Sequence, residues 1–292
     1  MRRSQYKAWG LLAPTLVILF FVGLAPFFYV IYLSLFQYNI WSARGMVFAG
    51  VNNFRKLVFD SDFMHSLGIG LIFVVTTCAV EMSLGLIIAL FLTNRFVGKG
   101  IVRTILALPL AIAPITIGSI WVLLTNPDIG PLPYVLRKLG VDYNIGVNAN
   151  QAFLTTIFMD VWHWTPFVTL TLLAGLTSFP KEPFEAARVD GANRWQILRY
   201  VTLPLLTPVI LTVLFIRIMD TFRIFDEVWM LTSGGPGTAT RFVSIEVVRR
   251  VLVSTDYGYG SSMSVFLLYL TIVVCWLLFQ MISVVGRKTR EV

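Results

Sequence analysis

The chain reads as long apolar runs separated by short polar ones. Six runs are long enough to cross a bilayer: Leu11 to Phe36, Leu67 to Leu92, Ile105 to Thr125, Phe153 to Leu173, Leu203 to about Met219, and Met263 to Val285. A helix rises about 1.5 Å per residue and bilayer hydrocarbon is about 30 Å thick, so about 20 residues span it. The first two runs exceed that length and are expected to tilt or protrude. The fifth is short and is expected to continue past Arg217 and Asp220. The pattern predicts an all-α membrane protein of six transmembrane helices, one domain over 1–292 with its core at 65–285. Internal repeats, low-complexity tracts and long linkers are absent from the sequence.

The polar pieces set an orientation. With the N-terminus inside, the cytoplasmic pieces are 1–10, 93–104, 174–202 and 286–292. These 58 residues hold 13 of the 23 Lys and Arg, whereas the 99 residues of 37–66, 126–151 and 220–262 hold 9. Cytoplasmic loops carry the excess of Lys and Arg, so both termini are expected in the cytoplasm. The start "MRRSQYK" leads into an apolar run well beyond the roughly 7–15 residues of a signal h-region, and is expected to open an uncleaved first span.

Composition agrees. The chain is 57% hydrophobic and 13% charged, about half the charge of a soluble domain. Its net charge of +8 brackets apolar runs and forms no aromatic-basic surface, so nucleic acid is not the expected partner; membrane lipid is. Cys78 and Cys275 both fall inside apolar runs and are expected to be packing residues. His65 and His163 stand on separate segments and give no metal motif. No Walker A loop is present: Lys99 in "VGKGI" lacks both the upstream glycine and the following Ser/Thr. The chain has no visible ATP site.

One polar stretch, "EAARVDGANRWQILRYVTLP" at 185–204, carries Glu185, Arg188, Asp190, Arg194 and Arg199 between apolar runs. Ser178 is expected to cap a helix start there, with Pro180 and Pro183 suited to its first turn and Glu182 and Glu185 at the positive end of its dipole. Ala186, Ala187, Gly191 and Ala192 give a small-residue surface open to close approach. Gly191 should break the helix. A second short helix from about Asn193, carrying Trp195 and Leu198, should end before Pro204. The result is a cytoplasmic hairpin at 178–204.

Glu185-Ala186-Ala187, Gly191, then Val201, Leu203 and Pro204 resemble the EAA motif of ABC importer permeases, with Val201 where the family usually has Ile. "RIMDTFRIFDEVWMLTSGGPGTAT" at 217–240, "APTLVILFFVGLAPFFYVIYLSLFQYN" and "FAGVNNFRKL" resemble carbohydrate-type permeases of the maltose and glycerol-phosphate kinds. Together the likeness covers nearly the whole chain. It implies a type I importer fold in which Glu185, Ala186, Ala187, Asp190, Gly191, Leu203 and Pro204 form the coupling segment that docks on an ATPase. It also implies a second homologous permease, two ABC ATPase subunits that bind ATP and Mg, and an extracytoplasmic solute-binding protein. This chain would then be no enzyme and hold no cofactor itself. Asp226, Trp229 and the turn at Gly234, Gly235 and Pro236 would face the binding protein.

Ionisable groups inside spans are costly against lipid and usually face an interior. Glu81, Asp160, His163 and Arg217 are such groups, and with Trp162, Trp164 and Asp220 they are the candidates to line a substrate cavity. Arg217 could snorkel to the interface beside Asp220; Glu81 could serve an interhelical hydrogen bond or a solute. Asp160, Trp162, His163 and Trp164 in "DVWHWTP" combine a carboxylate with aromatic faces, the pairing that recognises sugars and polyols. The function expected is sugar or polyol uptake by alternating access. An ion-coupled secondary transporter using Glu81, Asp160 and His163 is the alternative.

Overall fold

The computed structural model describes residues 12–288, with side chains to residue 280. The expected inner stretch 1–10 and residues 289–292 of the C-terminal one lie outside the described residues. The protein is mostly helical. Its elements are α1 (Leu12–Ser34), β1 (Phe36–Gln37), β2 (Val47–Phe48), α2 (Asn52–Phe59), α3 (Ser61–Thr93), α4 (Lys99–Ala107), α5 (Pro114–Thr125), α6 (Pro131–Lys138), α7 (Ala149–Ser178), α8 (Glu182–Val189), α9 (Arg194–Ile197), α10 (Leu203–Thr221), α11 (Asp226–Thr232), α12 (Val243–Val248) and α13 (Tyr257–Lys288).

Among the described residues four helices are long and apolar enough to cross a membrane: α1, α3, the continuous Arg194–Thr221 and Tyr257–Gln280. The third apolar run differs from the straight span expected. It breaks into Lys99–Ala111 and Pro114–Thr125, bent by 98°, and the pair would make a fifth crossing. Proline explains the break. A residue before proline is pushed out of the helical region, and Ala113 before Pro114 is extended at ψ 141°. The fourth run lies in α7, which is too polar on average to stand with the four. Its Asp160, His163, Thr155, Thr156, Thr165 and Thr169 are all buried while Leu154, Phe158 and Trp162 are exposed, so its polar residues face protein and its exposed stripe is apolar.

Two helices carry a widened turn just before a proline. Phe20–Leu24 precedes Pro26 and Leu198–Thr202 precedes Pro204, each with i→i+5 geometry. A proline ring clashes with the carbonyl one turn back and donates no N–H; a wider turn relieves both. The second hairpin helix therefore does not end before Pro204, as expected, but runs through it into α10.

The chain divides into two compact units. One takes the residues up to His65 with Glu246–Leu270; the other takes Ser66–Ile245 and the residues from Thr271 on. In the first, Asn53 donates both Nδ2 protons, to Ser34 O at 2.9 Å and Phe36 O at 2.8 Å. This fixes α2 to the β1–β2 ribbon, and Phe63 packs edge-on against Phe266. In the second, one apolar cluster gathers Phe73, Ile117, Met159, Val228 and Ile245, and another gathers Leu92, Leu172, Leu206 and Val213. Gly85 brings α3 against α7: a β-carbon there would stand 2.6 Å from Val168 Cγ1. Cys78 and Cys275 are free and buried.

Candidate functional site

The polar hairpin is built from two complementary helix ends. Gly191, in the left-handed region at φ +79°, ends α8. The Ala192 N–H donates to Ala187 O at 2.9 Å and the Gly191 N–H to Arg188 O at 3.1 Å, the paired bonds of a Schellman C-terminus. The next residue starts α9 with a capping box. Gln196 N–H donates to Asn193 Oδ1 at 2.9 Å and the Asn193 N–H to Gln196 Oε1 at 2.8 Å. Four backbone groups at the two facing helix ends are thus satisfied between Ala187 and Gln196. Ser178 is not the expected cap; it is the last residue of α7, and its Oγ donates to Gly175 O at 2.8 Å. Lys181 precedes α8 and caps nothing with its side chain.

The same hairpin faces outward. Glu185, Ala186, Asp190 and Gly191 are exposed, Ala187 half-buried, and Val189 is 87% exposed. No side chain blocks Gly191, so its glycine is required by backbone angle and not by space. Leu203 and Pro204 lie at the root of the hairpin in the first turn of α10.

A second constellation is buried. Arg217 is fully enclosed, not snorkelling. Its Nε and Nη2 donate to the two carboxylate oxygens of Glu81 at 2.7 and 2.8 Å, Nη2 also to Asp160 Oδ2 at 2.8 Å, and Nη1 to Asp220 Oδ2 at 3.0 Å. The Trp164 ring lies 4.7 Å from the guanidinium carbon. One cation thereby joins α3, α7 and α10. Arginine's planar fork suits this bidentate demand; lysine's point charge would not.

His163 takes a different partner. Its Nδ1–H donates to Glu227 Oε1 at 2.5 Å, with both side chains buried. Glu227 was not legible as a site residue in the sequence; its signal is an acid inside the short apolar helix α11. That helix sits against α5, where Gly118 permits backbone contact: a β-carbon there would meet Glu227 O at 2.6 Å. Trp162 leaves this cluster, is partly exposed, and meets Trp121 edge-on at 6.3 Å. A cavity of about 350 Å³ lies beside the ion pairs, lined by Trp164, Asp220, Arg223, Phe225, Asp226 and Glu227.

The glycine-rich turn is partly internal. Gly234 is buried at φ +91° with Ile245 Cγ2 3.0 Å from a notional β-carbon. Thr240 Oγ1 donates to Gly235 O at 3.0 Å, and the Gly235–Pro236 peptide is cis. Asp226 is exposed, and Trp229 stacks on Phe225 at 5.4 Å.

Residues 81–291 match the family described as "binding-protein-dependent transport system inner membrane component". The chain is 36% identical to the trehalose/maltose transport system permease protein MalF of Thermococcus litoralis, over 84% of this chain and 81% of that one. It is 32% identical to the probable ABC transporter permease protein y4oQ of Sinorhizobium fredii, over 97% and 93%. In fold it matches a chain of the bacterial alginate ABC transporter, solved in complex with an alginate pentasaccharide-bound periplasmic protein. That match has a TM-score of 0.82 at 20% identity and covers 96% of this chain and 94% of the other. The chain is therefore an ABC transporter permease and belongs to the family of binding-protein-dependent transport system inner membrane components.

Proposed function

We propose that the chain is one of two related permease subunits of an importer that moves a sugar or polyol across the bacterial cytoplasmic membrane by alternating access. The named relatives support the solute class, the Thermococcus permease being one for trehalose and maltose. The chain crosses six times in this reading. The bent α4–α5 pair counts as one crossing, and α7, at 30 residues or about 45 Å, as another. Both termini and the hairpin 178–204 face the cytoplasm. ATP and Mg bind to partner ATPases, and an extracytoplasmic binding protein delivers the solute.

The observation that carries the proposal is the hairpin: a polar, outward-facing elbow whose two helix ends are locked to one another. An element that transmits force must not fray, and this one leaves few backbone groups free to do so. Glu185, Ala186, Ala187, Asp190 and Gly191 present it to an ATPase groove; Leu203 and Pro204 join it to α10. Arg217, Asp220, Asp160 and Glu81 lie on the helices it would move. Trp164, with Asp220, Asp226 and Glu227 along the cavity, offers an aromatic face and carboxylates for hydroxyls; Trp162 and His163 support that wall. Asp226, Trp229 and the turn at Gly234, Gly235 and Pro236 belong to the surface that meets the binding protein. An ion-coupled carrier is disfavoured because Glu81 and Asp160 are held by Arg217.

The test is labelling from each side. With Cys78 and Cys275 replaced, Val189→Cys in the assembled transporter should react with a membrane-impermeant thiol reagent only from the cytoplasmic side, and should be shielded when the ATPases are bound. Reaction from the outside sinks the proposal. A sugar panel on the cognate binding protein then narrows the solute.

A further inference from the structure

A second, larger cavity lies in the unit formed by the first residues and Glu246–Leu270. It measures about 760 Å³, and the function proposed above makes no use of it. Three spans begin or end beside it. Gln37 follows the end of α1 at Ser34, Asp60 precedes α3 at Ser61, and Asp256 precedes α13 at Tyr257. Residues at such ends lie at headgroup depth. In the reading of these helices as spans, the cavity stands on the headgroup side of the hydrocarbon.

Its walls carry cations. Arg44, Arg55 and Lys56 line it, are exposed, and make no ion pair with a carboxylate among the described residues. The acidic groups present are already engaged. Asp60 accepts from Tyr259 Oη at 2.6 Å and faces Arg250 at 3.8 Å. Asp256 Oδ1 accepts the Tyr259 N–H at 3.2 Å. Neutral donors, Asn52 and Ser42 among them, fill the wall between.

The rim is apolar in a way water does not favour. Phe59, which lines the cavity, is 79% exposed, and Trp41, the chain neighbour of the lining residue Ser42, is 82% exposed; Phe48, Val51 and Val58, each next to a lining residue in the chain, are exposed as well. Exposed tryptophan and phenylalanine beside basic residues at a span end are the marks of a segment lying in the membrane interface. A docking face for a soluble protein would share the cations but does not call for this depth or this fringe.

We propose that this recess holds the phosphate-bearing headgroup of an anionic phospholipid, its acyl chains lying against the apolar rim. In the orientation proposed above the lipid belongs to the outer leaflet. Arg44, Arg55 and Lys56 bind the phosphate and acidic headgroup. Trp41 and Phe59 anchor the ribbon and α2 at the interface.

The assembled transporter, reconstituted in phosphatidylcholine nanodiscs with graded phosphatidylglycerol, tests this by native mass spectrometry of retained lipid. The wild type should retain phosphatidylglycerol over phosphatidylcholine. Arg44→Gln, Arg55→Gln and Lys56→Gln together should erase the preference, each removed cation lowering it roughly 5-fold. The charge-keeping set Arg44→Lys, Arg55→Lys and Lys56→Arg should preserve it. Equal retention of the two lipids by the wild type overturns the proposal, as does undiminished preference in the glutamine variant. Displacement of phosphatidylglycerol by millimolar inorganic phosphate would mark a free-anion site and overturn it too. So would a glutamine variant that keeps the lipid but loses binding-protein-stimulated ATP hydrolysis in pure phosphatidylcholine, since the recess would then take protein. Because the readout is bound lipid, failure here leaves the reading of the chain as an importer subunit untouched.

Discussion

Arg217 grips both carboxylate oxygens of Glu81, a residue 136 positions earlier, at 2.7 and 2.8 Å with neither side chain in contact with solvent. The pair fixes the register of α10 on α3, and through Asp160 that of α7. Removing one member of a buried pair leaves an uncompensated charge, which costs about 3–5 kcal/mol, whereas replacing both by apolar groups is often near neutral. Arg217→Met should therefore lower the thermal unfolding midpoint of the detergent-solubilised transporter strongly. Adding Glu81→Leu and Asp160→Leu should recover part of the loss. If the triple variant is no more stable than Arg217→Met, the pairs do not act as a unit.

His163 and Glu227 form the second buried polar pair, which ties α11 to α7. A hydrogen bond to a charged group is worth about 1.5–3 kcal/mol. His163→Phe and Glu227→Leu should each destabilise, and the double variant by clearly less than their sum. Strictly additive losses in the double-mutant cycle would show that the two side chains are merely near each other.

How much of this could be read from the chain depends on range. The hairpin was legible because its signals are local. The glycine that ends α8 and the asparagine that starts α9 are two positions apart, and their partners Arg188 and Gln196 each stand three residues away. The cavity wall was legible in part: Trp164 and Asp220 line it, while Asp160, singled out with them, is enclosed beside it against Arg217. What joined them was not. Arg217 and Glu81 each fit several roles until α3 and α10 are brought side by side, and Glu227 as the partner of His163 depends on α11 folding against α5. The break in the third run needed more weight on Pro109 and Pro114 than on apolarity. The fourth run, Phe153 to Leu173, lies within one helix, α7, as the sequence predicts.

Gly191 separates geometry from bulk. At φ +79° with nothing nearby, asparagine should be tolerated because it adopts the left-handed region readily. Valine there should cost about 1–2 kcal/mol and loosen the elbow. In membranes with all partner subunits, Gly191→Val is expected to uncouple ATP hydrolysis from uptake, and Gly191→Asn to leave them coupled. Glu185→Lys, which puts a cation at the positive end of α8, should also uncouple. If Gly191→Asn fails as badly as Gly191→Val, the requirement is for space at the ATPase contact and not for the backbone angle.

Asp60 gives a pH dependence whose sign can be worked out. Burial pushes its carboxyl up. The hydrogen bond from Tyr259 Oη, the backbone N–H groups of Phe63 and Asp62 and the charge of Arg250 outweigh it, and hold the carboxyl below its ordinary value. A carboxylate whose folded value is depressed adds stability that is fully present above the unfolded value, about 3.9. That stability is lost as pH falls through the folded value. The wild type should therefore lose thermal stability more steeply than Asp60→Asn as pH drops from about 5 to 3. Tyr259→Phe, which removes one of the bonds that lower the carboxyl, should fall between them. Arg250 would lose part of its anchorage in the same window, since Asp60 and Asp62 lie 3.8 and 3.9 Å from it while Glu246 holds it at 2.8 Å. Superimposable profiles for the wild type and Asp60→Asn would mean that the Tyr259 and Arg250 contacts contribute nothing to holding the Ser61 end of α3 and the Tyr257 end of α13 in place.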